Sequence, residues 1–86
     1  MKVKELIIKF GYIILNHGGK LVEENIFELP AHWRRDVIFK IKFPKYDIGR
    51  VIIENKPILL DVTLNDEFEL IRLLEQLNVI KSNGPF

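Results

Sequence analysis

The sequence predicts an α+β fold: a two-layer sandwich with an N-terminal helix, three to four mostly antiparallel strands and a C-terminal helix. Three observations carry that expectation. Apolar residues near each end recur at helical spacing, and the middle of the chain alternates apolar with polar residues at strand spacing. The connections between strands are also short, whereas a parallel crossover takes roughly a dozen residues. Two apolar helical stripes can then cover one apolar sheet face.

The first helix is drawn by Val3, Leu6, Ile7, Phe10, Ile13 and Ile14, which fall on one face. Ile8, Tyr12 and Leu15 add a second apolar strip beside it, while Lys2, Lys4, Glu5, Lys9 and Asn16 mark the wet side. His17-Gly18-Gly19 ends the helix, because glycine takes the left-handed conformation common at helix C-termini. Residues 20–29 then read as one strand, closed by Pro30.

The clearest strand is Val37 to Phe43, with Val37, Phe39, Ile41 and Phe43 on one face and Lys40 and Lys42 on the other. Residues 44–49 form a loop. Arg50 to Glu54 and Ile58 to Leu64 are two further strands, joined by Asn55-Lys56-Pro57. The sheet face away from the helices is expected to carry Lys40, Lys42, Ile52, Glu54, Leu59, Asp61 and Thr63. Asn65 is the expected N-cap of the second helix, followed by Asp66, Glu67 and Glu69 where the helix dipole favours negative charge. Leu70, Leu73, Leu74 and Leu77 form its buried stripe, helped by Phe68 or Ile71. Asn78 marks the fray of that helix, and residues 81–86 read as a frayed tail.

With 86 residues the chain has room for one domain, and 48% hydrophobic against 29% charged residues excludes a disordered one. No apolar run approaches the ~20 residues of a membrane span and no signal peptide is recognisable, so a soluble cytoplasmic protein is expected. Abundant isoleucine, lysine and asparagine with a single alanine, Ala31, point to an AT-rich microbial or viral genome. Cysteine is absent, which removes disulfides, thiolate metal sites and cysteine nucleophiles.

The catalytic inventory is short. The one serine, Ser82, sits in the tail, and a serine nucleophile must be held rigidly beside a base. His17 and His32 lie in different connections, so a zinc site would need carboxylates such as Glu23, Glu24 or Glu28 to join them. His17-Gly18-Gly19-Lys20 follows a helix and lacks the spacing of a phosphate loop. No metal or cofactor is expected. Glu54-Asn55-Lys56, with Asp47 or Asp36 upstream, resembles the acid-plus-E-x-K arrangement of the PD-(D/E)xK nuclease superfamily. The resemblance covers a short stretch and implies two carboxylates holding magnesium for phosphodiester cleavage. No Pro-Asp pair precedes the acid, and Pro57 follows in an expected hairpin turn.

Net charge is only +1, so no global field draws in nucleic acid. A basic block, residues 32–50, is followed by an acidic one, residues 54–75, and neighbouring strands can pair the two across the sheet. Within the basic block His32-Trp33-Arg34-Arg35 stands out, since tryptophan and arginine are enriched at binding hot spots and also stack on bases. The alternative role for Trp33 is to anchor its loop at the rim of the core.

Three functional expectations follow. The first is a non-catalytic protein-interaction module, self-association included, using Ile8, Tyr12 and Leu15. The second is a nucleic-acid-binding domain using His32, Trp33, Arg34, Arg35, Lys40, Lys42 and Lys45. The third is a small metal-dependent nuclease.

Overall fold

A computed structural model describes residues 3–82. The element order is α1 (Val3–Asn16), β1 (Lys20–Glu23), β2 (Ile26–Ala31), β3 (Arg34–Lys42), β4 (Arg50–Asn55), β5 (Ile58–Thr63) and α2 (Glu67–Gln76). The strands form one antiparallel meander in the order β1-β2-β3-β4-β5. Both helices lie on the same face. Phe10, Ile13 and Ile14 of α1 and Leu70 and Leu74 of α2 are buried with Phe27, Leu29, Phe39, Ile41, Val51 and Ile53 of the sheet. One apolar row crosses all five strands, Leu21 to Phe27 to Ile41 to Ile53 to Leu60. Phe43 closes the core, its ring 5.4 Å from that of Phe10 and 5.6 Å from that of Phe27.

The sheet has five strands where three to four are expected, because residues 20–29 are a hairpin. Glu24 and Asn25 turn the chain, and Val22 is an extra residue that shifts the register between Leu21 and Glu23. That bulge hides the alternation that would have separated two short strands. Pro30 lies inside β2, opposite Ile38, and does not close a strand. The pairing of β1 reaches only Glu28, so β2 is locally an edge at Pro30 and the missing N–H removes no bond to β1. β3 begins at Arg34, three residues before the alternation becomes visible.

Helix ends are set by local chemistry. At the end of α1 the Gly18 N–H donates to the Leu15 carbonyl at 3.2 Å and the Gly19 N–H to the Ile14 carbonyl at 2.9 Å. Gly18 takes φ +91°, the left-handed conformation this pattern requires. Gly19 is needed for another reason. A Cβ there would lie 2.4 Å from Ile14 Cγ2 and 2.9 Å from the Glu28 carbonyl oxygen.

In α2 the N-cap is Asp66, not Asn65. Its carboxylate accepts the Glu69 N–H at 3.0 Å, while the Glu69 carboxylate accepts the Asn65 N–H. Asp66 holds extended backbone angles, which aim its side chain at the open first turn. Leu70 and Leu74 are fully buried, Ile71 is half-buried, and Phe68 faces solvent. Ile71, rather than Phe68, therefore widens the stripe.

Asn78 does not mark a fray. With φ +59° it stops α2 sharply, the Asn78 N–H donating to Glu75 and the Val79 N–H to Leu74. Val79 then packs into the core with Leu74, both without solvent exposure. Residues 83–86 of the expected tail lie outside the described residues.

The outer sheet face carries Lys40, Lys42, Ile52, Glu54, Leu59, Asp61 and Thr63, all exposed or half-buried. Charges alternate along one of its rows, Lys20 to Glu28 to Lys40 to Glu54 on successive strands. Among the described residues no helix is long and apolar enough to cross a membrane.

Candidate functional site

Two regions gather the residues singled out by sequence. The first is the β2–β3 turn. The His32 N–H donates to the Val79 carbonyl at 2.9 Å, and the Trp33 indole Nε1–H donates to the Asn78 carbonyl at 2.9 Å. His32 Nε2 lies 2.9 Å from Asn78 Oδ1, and because that oxygen only accepts, the imidazole proton sits on Nε2. The turn is thus latched onto the C-terminal cap of α2 by three hydrogen bonds. Trp33 remains half-exposed, a rim residue whose polar end serves the fold.

The flanking cations do not form one patch. Arg34 Nε donates to Asp36 Oδ1 at 2.8 Å, Lys45 contacts the Glu24 carboxylate, and Lys40 stands between Glu28 and Glu54 in the outer row. The bond to Glu24 raises the Lys45 pKa above its ordinary value. Arg35 and Lys42 make no ion pair among the described residues. Arg34 and Lys42 are the two ends of nine-residue β3, so these residues spread over about 26 Å of strand. Dispersal of these cations along the strand, with Arg34 and Lys45 already engaged by carboxylates, weighs against a phosphate-binding surface.

Arg50 forms the tightest polar cluster. Its guanidinium donates to both oxygens of Asp61, at 3.0 and 2.7 Å, and to Asp47 at 2.9 Å. The bidentate contact holds the Asp61 carboxyl below its ordinary pKa and raises that of Arg50. With Asp47 turned to Arg50 and Asp36 to Arg34, neither acid stands beside Glu54 as the E-x-K resemblance requires. Glu54 faces Lys40 and Leu59 across the sheet. His17 donates from Nδ1 to the Ile13 carbonyl at 2.8 Å, whereas His32 is held by the latch to Asn78. Among the described residues no three histidines or carboxylates converge as a metal site would need.

The second region is apolar. α1 crosses β1 and β2 with Gly11 facing the sheet, where a Cβ would lie 3.0 Å from Phe27 Cζ. The close approach leaves a groove of about 290 Å³ between α1 and the β1–β2 hairpin, floored by Gly11 and Phe27. Ile8, Tyr12 and Leu15 form one wall and Leu21 the other, with Glu24 at the rim. Tyr12 is 64% exposed, Leu21 54% and Ile8 51%. The structure thus joins the helical strip Ile8, Tyr12 and Leu15 to Leu21. Sequence reasoning missed Leu21, because residues 20–29 read as a single strand within the sheet. The available signal was the polar Glu23-Glu24-Asn25 run, a turn composition between two apolar pairs.

Comparison of the chain with protein-family models, with curated proteins and with solved structures found no match.

Proposed function

We propose that this chain is a non-catalytic protein-interaction module whose docking surface is the groove between α1 and the β1–β2 hairpin. One observation carries the reading. Ile8, Tyr12 and Leu15 on the helix and Leu21 on the edge strand line one groove and are apolar and exposed. Single exposed apolar residues are ordinary on protein surfaces, whereas a contiguous patch around a groove is the usual mark of an interaction site. Tyrosine at its centre adds a large rigid area with a polar end, a residue type favoured at such sites.

A second copy of the chain is the partner that fits this surface, since the patch is apolar enough to be covered by itself. Light scattering across a concentration series tests this. The wild type should gain mass with concentration and Tyr12→Glu should not, with both retaining the same circular dichroism. A wild type that stays monomeric up to several hundred micromolar refutes self-association.

A further inference from the structure

We infer that two copies of this chain join through the free edge of β1, antiparallel about a two-fold axis, so that their sheets become continuous. The inference rests on the groove being the docking surface and adds how that surface is closed.

The edge itself is the first observation. β1 pairs with β2 on one side only, so its other side presents unpaired N–H and C=O groups, as edge strands do. The apolar strip of α1 lies above this edge, and it is exposed because the sheet ends there. A further strand added to β1 would extend the sheet under Tyr12. Strand addition of this kind takes its affinity from main-chain bonds and its selectivity from the side chains.

The bulge is the second observation, and it names the occupant. Lys20 lies opposite Glu28 and Leu21 opposite Phe27, but Glu23 lies opposite Ile26, with Val22 as the extra residue. Glu28 and Ile26 stand opposite Lys40 and Lys42, so both belong to the outer face. Without the bulge Glu23 would share the face of Leu21. With it, Lys20 and Glu23 point the same way.

Run antiparallel against its own copy, Lys20-Leu21-Val22-Glu23 sets Lys20 opposite Glu23 of the second copy, twice by symmetry. Leu21, on the side of the α1 strip, then lies opposite Val22 of the second copy at the axis. Opposite charges directly across a strand pair are favourable, and like charges are not. Glu23 makes no ion pair among the described residues, and Lys20 has only a 4.0 Å contact with Glu28. A short, bulged, lysine-bearing edge resists indiscriminate pairing, yet this one is charge-complementary to itself.

Sedimentation velocity on the full chain tests the arrangement, using wild type, Lys20→Glu, Glu23→Lys, the double exchange, Tyr12→Glu and Leu59→Arg. All the substituted positions are exposed. Each single exchange should raise the dimer dissociation constant roughly tenfold, because two favourable pairs become two repulsive ones. The double exchange restores the complementarity and should return to within about threefold of wild type. If Tyr12→Glu abolishes the dimer while both single exchanges leave it unchanged, the groove reading stands and the edge arrangement is overturned. Dissociation by Leu59→Arg, on the opposite edge, also overturns it. A monomeric wild type overturns self-association and the edge arrangement with it.

Discussion

Replacing Asn78 tests whether the latch between the β2–β3 turn and α2 is a structural device. Asn78 combines two roles in one residue. Its backbone takes φ +59°, and its Oδ1 accepts from His32. Asn78→Ala removes the side-chain acceptor and puts a residue with a Cβ and no local hydrogen bonding into the left-handed region. The backbone change costs about 1 kcal/mol, at the low end of the left-handed penalty. Loss of the exposed hydrogen bond costs about 1 kcal/mol more. The sum, about 2 kcal/mol, is a large fraction of the stability of so small a domain. It should lower the midpoint of thermal unfolding by roughly 10 °C.

Asn78→Gly isolates the second effect, since glycine meets the backbone demand, and should lose only about 1 kcal/mol. Urea unfolding followed by circular dichroism and by Trp33 fluorescence measures all three proteins under a two-state analysis. His32→Ala supplies the cross-check. It should be destabilising in wild type and close to neutral in the Asn78→Ala background, because the shared bond is already gone. Equal midpoints for Asn78→Ala and wild type, or full additivity with His32→Ala, would refute the latch.

Two further outcomes follow from local geometry. Gly19→Ala should destabilise by about 2–3 kcal/mol, because the new Cβ meets buried Ile14 and a backbone carbonyl. Gly18→Ala meets no atom within 4 Å and should lose only the left-handed preference, about 1–2 kcal/mol, in the same urea experiment. Acid titration probes the Arg50 cluster. The Asp61 pKa is lowered in the fold, first by its hydrogen bonds to Arg50. Its stabilising contribution is therefore present above the ordinary carboxylate pKa of about 3.9 and is lost as pH falls through the lower folded value. NMR titration of the Asp61 carboxyl carbon should show a midpoint below about 3.9, returning toward it in Arg50→Ala.

The fold class was legible because its signals are periodic and local. Phe10, Ile13 and Ile14 recur at helical spacing, and Phe39, Ile41 and Phe43 alternate, and all six are buried. The stop at Gly18-Gly19 was legible for the same reason, since the left-handed demand of a helix end is met within two residues. Where a signal is not periodic, reading failed. Val22 shifts the phase of a four-residue strand, and at that length one extra residue erases the alternation. The N-cap was misplaced by one residue because Asn65 and Asp66 are equally good caps, and only the backbone angles decide between them.

The candidate site divides along the same line. The exposed strip Ile8, Tyr12 and Leu15 could be read from helix periodicity alone. Its partner Leu21 could not, because strand pairing decides which strand lies at an edge.

Residue order was sufficient for the types of the elements, the helix–strands–helix order, the apolar inner face, and a second greasy side on the first helix. Those properties arise from neighbours two to four positions apart. Long-range contact alone determined that the Trp33 turn fastens to Asn78, which is 45 residues away, that Lys45 meets Glu24, and that β1 is left open beneath Tyr12. Such contacts depend on how faces meet after the chain has folded, and no local spacing encodes that.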